Sequence, residues 1–374
     1  MHWSILILSY ISLFAMGFID NARGPAYPLI LSEFNLVPSR GSWFFTIAAL
    51  GGVLSTITHR YWLEKIGPFI AIRIFIVAMA LGCYGMGRAS EGSFAMLLGS
   101  AFIFGFSTGG NGICMNLLTA WACPYYYRRR AFAGLHSTYA LASLIAPFAL
   151  TYVLESGARW DRLFAYFSIV PVALFFWSLT VRPPVKRYVH LRESSHNKWK
   201  ILFGMALGFY VSAEIVASSR LVLYCTQHLS WSTAKAALYL SLFFAFLLLG
   251  RLLFASFSVK GASVTWLVIS LVTTLFAFLF GLYVDPIGLS MVGMTMSIFF
   301  PCFMDWVSEL FPEQGESIIS SMLTSMGVMI ITMHALVGYL NELWGVQVAL
   351  HIGPLFCLLS LAIILKIKQV MPKP

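Results

Sequence analysis

The sequence predicts an all-α polytopic membrane protein, with twelve transmembrane helices in two pseudo-symmetric six-helix bundles. Three observations carry this expectation. The chain is 59% hydrophobic and only 10% charged, with a mean hydropathy of +0.83; a soluble domain needs far more charge to coat its surface. Apolar segments of about 20 residues, enough to cross a hydrocarbon core of ~30 Å, recur along the whole length. One long polar stretch, residues 182–200, separates six such segments from six more.

Taken in order, the first span covers residues 3–31 and carries Asp20 and Arg23 within its apolar run. The second (41–58) and third (68–87) flank a short polar loop. The fourth (93–120) is rich in glycine, and the fifth (131–154) follows the basic run Arg128-Arg129-Arg130. The sixth (163–181) ends at the polar stretch, where Pro183-Pro184 and a basic, serine-containing segment read as a linker. The seventh (199–224) contains Glu214, and the eighth (233–257) ends near Arg251. The ninth (263–283) and tenth (288–310) are followed by an acidic loop, then by the eleventh (317–340) and twelfth (346–365). The expected organisation is a bundle over 1–181, a cytoplasmic linker over 182–200 and a second bundle over 201–374.

Charge placement orients these spans. With both termini cytoplasmic, sixteen of the 24 Lys and Arg fall on the cytoplasmic side. Five fall outside (Arg40, Arg88, Arg159, Arg162, Lys235), and Arg23, Arg73 and Arg220 lie within spans. That asymmetry follows the positive-inside rule. The net charge of +10 is therefore a topology signal rather than a nucleic-acid surface. The six cysteines are scattered in or at the ends of spans without a C-x-x-C, so they read as small apolar fillers, not a metal site or disulfide framework. No basic n-region opens the chain, so the first span is expected to direct it to the membrane uncleaved.

The candidate site residues are the polar groups inside spans, since a charge there costs at least ~2.5 kcal/mol and persists where it pairs or lines a watery path. Asp20 and Arg23 share a helix face at i, i+3. They read either as a self-neutralised pair, or as a proton-handling acid beside a substrate-binding guanidinium. Asn21, Tyr27 and the Gly24-Pro25 step beside them mark polar contacts and backbone able to bend or open. Glu214 lies mid-span, with Tyr210 and Ser218 one turn to either side in a polar stripe, and no base at i±3 or i±4. It is the better proton carrier of the two acids. Arg220 has two readings, a snorkelling interfacial group or a substrate contact. Asn111, ahead of Asn116, is placed toward a cavity by its setting among Ser107, Thr108 and glycines. His136 and His334 are titratable near neutrality, and His136 is taken as a coupling candidate. Tyr139 and Trp121 remain ambiguous among abundant aromatics.

The halves also echo each other. At an offset of 191 residues, Gly17-Phe18 falls on Gly208-Phe209, Arg23 on Glu214, and Arg60 on Arg251. Six spans per half suits a carrier with its substrate site near the midplane between repeats. On these residues the chain resembles the major facilitator superfamily of secondary transporters. Arg60-Tyr61-Trp62-Leu63-Glu64-Lys65-Ile66-Gly67 stands where that family has a G-x-x-x-D-R-x-G-type loop, with Glu64 and Lys65 in place of the acid–base pair and Arg60 in place of the leading glycine. Leu249-Gly250-Arg251-Leu252-Leu253 is its second-half echo, although residues 256–261 lack the acid. Gly17-Phe18-Ile19-Asp20-Asn21 with Pro28, and Gly208-Phe209-Tyr210-Val211-Ser212-Ala213-Glu214, are similar to segments of the fucose:proton symporter group. That group's first-span acid aligns with Gly24 here and its fourth-span acid with the region of Gly112, so any proton coupling must use Asp20 or Glu214.

The resemblance implies a proton-coupled symporter of a small polar or anionic solute, working by alternating access in the cytoplasmic membrane. Proton-driven efflux of amphipathic compounds, or a non-transporting receptor, is the alternative. A cytoplasmic gate is expected from Glu64, Lys65, Arg128, Arg129 and Arg130 against Glu313 and Glu316. The absence of G-x-x-x-x-G-K-[ST], H-x-x-x-x-D and H-E-x-x-H argues against ATP drive and enzymatic chemistry. The expected partners are a small-molecule substrate, protons and the lipid bilayer, with no cofactor, no metal, no nucleic acid and a monomeric state.

Overall fold

The computed structural model describes residues 1–182, 197–256, 262–311 and 315–371. Its helices are α1 Trp3–Glu33, α2 Pro38–Ile57, α3 His59–Met86, α4 Phe94–Ala122, α5 Tyr125–Glu155, α6 Arg162–Phe167 and α7 Ile169–Ser178, then α8 Asn197–Leu223, α9 Thr233–Ser256, α10 Ser263–Tyr283, α11 Ile287–Met296, α12 Phe299–Leu310, α13 Gly315–Leu350 and α14 Ile352–Val370. A 3₁₀ turn, Ala89–Glu91, precedes α4, and a π-turn, Tyr224–His228, ends α8. Each of the twelve expected spans is occupied by helix. Among the described residues nine helices are long and apolar enough to cross a membrane, and Arg162–Ser178 is a shorter apolar one. Large apolar side chains such as Leu81, Ile169, Phe176 and Phe276 stand exposed, as hydrocarbon-facing groups do.

The helix breaks have local causes. The sixth span is split into α6 and α7 at Ser168, and the tenth into α11 and α12 at Ser297-Ile298. Each split lies just before a proline, Pro171 and Pro301, whose missing N–H and bulky ring prevent the regular bond four residues back. Gly67 (φ 70°, ψ 167°) turns the chain between a short leading helix and the third span, inside α3. Gly345 (φ 83°, ψ 165°) does the same inside α13, so residues 346–350 belong to the twelfth expected span. Only glycine takes such angles without strain. At Gly24-Pro25, expected to be able to bend or open, α1 is not opened in this structure and runs helical through Pro25 and Pro28. The linker expected at 182–200 falls mostly outside the described residues, and its last four residues already belong to α8.

The chain divides into two compact units, Met1–Leu36 with Trp43–Leu191, and Val37–Ser42 with Arg192–Pro374. In the first, α1 packs on α5 and α4, and α3 on α4 and α7. Ile5, Leu8, Ile72, Phe75, Leu118, Leu135 and Leu174 form a dry core joining five of these helices. In the second, α8 packs on α13 and α14, α9 on α11, and α10 on α11 and α14.

The repeat is visible in individual contacts. A Cβ on Gly17 of α1 would lie 2.8 Å from the Tyr139 ring of α5; one on Gly208 of α8 would lie 2.7 Å from Met329 of α13. A Cβ on Gly105 of α4 would meet the Ala48 carbonyl of α2 at 1.8 Å, as one on Gly293 of α11 would meet the Phe243 carbonyl of α9 at 2.1 Å. One turn further on, Gly109 faces Ser55, whereas Gly250 faces Ser297. The small residue and the serine have exchanged sides. These contacts keep the offset near 191 for α1 and α8, but move it to 195 for α2 and α9. Arg60 therefore does not correspond to Arg251, which stands at the level of Thr56.

Candidate functional site

Each unit builds one polar cluster on its first helix. In the first unit, helical spacing sets Asp20 and Arg23 one turn apart, and they form an ion pair. Arg23 Nε also donates to the Asp20 carbonyl at 3.3 Å. The guanidinium is caged by aromatic faces from two other helices, with ring centroids of Phe104, Phe45 and Phe44 at 5.3, 5.5 and 5.7 Å. Such faces attract a cation through the ring quadrupole, most strongly where water is absent. The two partners are unequally covered: the Arg23 side chain is 11% exposed and that of Asp20 is 32% exposed. The carboxylate, not the guanidinium, is the group this cluster presents.

Asp20 is held from its other side by Tyr139, whose hydroxyl donates to Oδ2 at 2.8 Å. Gly17, one turn before Asp20, clears the surface on which that ring lies. Asn21 donates to the Gly17 carbonyl at 2.8 Å and to Ser143 Oγ at 2.7 Å, one turn beyond Tyr139 on α5. The Gly17-Phe18-Ile19-Asp20-Asn21 segment is thus a docking face for Tyr139 and Ser143.

In the second unit, α8 aligns Tyr210, Glu214 and Ser218. The Tyr210 hydroxyl lies 2.9 Å from Glu214 Oε2 and 2.8 Å from the Met296 carbonyl at the end of α11. Its ring stacks on Phe299 at 3.8 Å and 10°. Ser218 donates to the Glu214 carbonyl at 3.0 Å. Arg251 of α9 acts on Glu214 by Coulomb attraction, and no salt bridge closes on this acid among the described residues.

Other expected site residues stand elsewhere. Tyr27 is fully buried, edge-on to Phe45 at 5.2 Å. Asn111 is also fully buried and turned into α1, where Ser12 Oγ donates to Oδ1 at 3.0 Å and Nδ2 donates back at 2.8 Å. The cavity-facing orientation expected for it is corrected, and Asn116 is the exposed one of the two. Arg220 is 1% exposed, which removes the snorkelling reading. His136 stands exposed on α5, and His334 is buried on α13. Glu64 and Lys65 are exposed near the start of α3. Of the remaining gate residues, Glu313 and the side chains of Arg128, Arg129, Arg130 and Glu316 lie outside the described residues.

Sequence reasoning missed the aromatic cage, Ser143 and the influence of Arg251, and it left Tyr139 undecided. The glycines Gly17 and Gly208, matched between the halves, were the available pointer to a partner lying on that face.

Residues 9–331 match the sequence profile of the Major Facilitator Superfamily. The chain belongs to this family. It is 27% identical over 172 residues to a protein of Citrobacter koseri described as Protein TsgA homolog, a match covering 45% of this chain and 42% of that one. The chain is thus aligned with less than half the length of that curated relative. Its fold is similar to the crystal structure of a D-xylose-proton symporter, with TM-score 0.77 and 14% identity over 99% of this chain and 98% of that one. The transporter FucP in its outward conformation is similar at TM-score 0.66 and 15% identity, over 96% of this chain and 98% of the other. At these identities the likeness establishes the fold.

Proposed function

We propose that this protein is a secondary active transporter that carries a small polar solute by alternating access, in symport with a proton. The setting is the cytoplasmic membrane, with both termini in the cytoplasm, as the distribution of Lys and Arg favours. Membership of the superfamily and the similarity to a D-xylose-proton symporter and to FucP support the reading.

The observation that carries it is the hydrogen bonding of Glu214. The Tyr210 hydroxyl has one proton and two acceptors within reach, Glu214 Oε2 and the Met296 carbonyl. While Glu214 is ionised, the phenol donates to it. Once Glu214 is protonated, its own proton goes to the phenol oxygen and the phenol donates to Met296. One protonation thereby changes the tie between α8 and α11. Asp20 has less freedom, because Arg23 and Tyr139 occupy its two oxygens. It serves as a fixed charged acceptor for the hydroxyls of a solute, with Asn21 and Tyr139 beside it.

The test is uptake into proteoliposomes under an imposed inward proton gradient, screening neutral sugars alongside sugar acids. Saturable accumulation above equilibrium that a protonophore collapses supports the reading. Ligand binding without flux, or flux indifferent to the gradient, overturns it.

A further inference from the structure

Every hydrogen bond around Asp20 has a direction, and those directions fix what the first unit can offer a solute. The Asn21 amide has one possible orientation, because its Nδ2 lies 2.8 Å from the Gly17 carbonyl, which can only accept. The second Nδ2 proton goes to Ser143 Oγ at 2.7 Å. Ser143 in turn donates to the Tyr139 carbonyl at 2.8 Å, and the Tyr139 hydroxyl donates to Asp20 Oδ2. Arg23 turns Nε and Nη2 to Asp20, while Nη1 is buried without a hydrogen-bond partner among the described residues. The rings of Phe44, Phe45 and Phe104 stand around that guanidinium. The donors of this face are spent inside the protein or enclosed.

Its acceptors are not. Asn21 Oδ1 takes no hydrogen bond among the described residues, and its side chain is partly exposed. The Asp20 side chain is 32% exposed. A carboxylate has about four acceptor positions, and Arg23 and Tyr139 leave some of them open. Pro25 has no N–H to give the Asn21 carbonyl four residues back, which adds acceptor capacity at the same residue. Polar groups exposed inside a span lie along water and not along hydrocarbon, where a charge costs at least ~2.5 kcal/mol.

We propose that the first unit reads its solute through donors alone. A neutral polyhydroxy compound, or its aminated counterpart, places neighbouring O–H or N–H groups on Asp20 and on Asn21 Oδ1. An anionic solute is turned away, because its oxygens meet a carboxylate and an amide oxygen with no donor to answer them. Asn21 is thereby a specificity-determining residue, set in that role by Gly17 and Ser143. The inference rests on the transport reading only in taking this face as part of the solute path.

Ligand-induced rises in the thermal midpoint of the full chain in detergent give apparent affinities for matched probes. One set is D-glucose, D-glucosamine and D-glucuronate; the other is D-galactose, D-galactosamine and D-galacturonate. In at least one set the neutral and aminated members should bind about tenfold or more tightly than the acid, as expected for a donor lost against a charged acceptor. Asp20→Asn puts an amide donor on the face and removes its charge, and should narrow that gap by about tenfold or reverse it. Where Asp20→Asn does not purify, Asn21→Asp decides. A second acid should raise the preference for the aminated over the neutral member by about fivefold, a change of charge preference that lost packing does not produce. Equal binding of acid and neutral members, silence of both sets, or unchanged preferences in the variants overturns the proposal. Proton-driven uptake of a uronate defeats it and leaves symport standing, whereas binding of a neutral sugar without flux does the reverse.

Discussion

The two clusters start from the same helix position in their units and answer their acid in opposite ways. Asp20 is neutralised by a guanidinium that three aromatic rings enclose, and Tyr139 completes its coordination. Glu214 has a phenol and the more distant pull of Arg251. The difference is one of magnitude. Contact between unit charges is worth about 4 kcal/mol at an effective dielectric of 20, whereas a hydrogen bond to a charged group contributes about 1.5–3 kcal/mol net. The first acid is tied to a fixed cation, and the second to a hydroxyl that has another acceptor within reach. A carrier needs both, a fixed group to hold solute and a mobile proton to make transport directional.

The sharpest way to break this contrast is Glu214→Gln. We expect complete loss of gradient-driven accumulation while solute counterflow persists, measured on the same proteoliposomes. If Asp20→Asn gives that phenotype and Glu214→Gln does not, the two roles are reversed. Next in size is Arg23→Gln, which leaves a partly buried carboxylate without its cation. Breaking a fully buried pair costs about 3–5 kcal/mol, and the 32% exposure of the Asp20 side chain sets the loss here below that. The thermal unfolding midpoint in detergent should fall steeply, and combining the change with Asp20→Asn should recover much of it.

The matched glycines refine the comparison. Gly17→Ala drives a methyl into a ring held at its far end by Asp20, so overpacking should cost about 1–3 kcal/mol. Gly208→Ala meets the flexible Met329, and a helix-propensity gain of up to ~1 kcal/mol offsets the crowding. Thermal stability should therefore separate the two alanines, and equal midpoints would show that the Tyr139 seat is not rigid. The smallest effect is expected from Tyr139→Phe. It removes one hydrogen bond while Arg23 stays in place, for about 1 kcal/mol in stability, with a raised KM in uptake.

Much of this was legible in the sequence because it depends on spacing along one helix. Twelve apolar runs, the i, i+3 pair of Asp20 and Arg23, and the Tyr210–Glu214–Ser218 stripe all follow from local periodicity. What escaped depends on contacts distant in sequence. Tyr139 is 119 residues from Asp20, and the rings around Arg23 come from α2 and α4. Polarity suggested that Asn111 faces a cavity, but a buried serine on α1 offered it both hydrogen bonds. The rule that proline disrupts a helix held before Pro171 and Pro301 and not at Pro25 and Pro28. α1 packs against α4 and α5 and runs helical through both prolines.

The exchanged serine and glycine, Ser55 against Gly109 in one unit and Gly250 against Ser297 in the other, bear on ancestry. In both units the close approach of two backbones is present, while the small residue that permits it stands on opposite sides. Each copy is free to drift as long as one side of every such contact stays small. Matching the halves by residue letters alone misses this correspondence, and matching them by inter-helix clearance shows it.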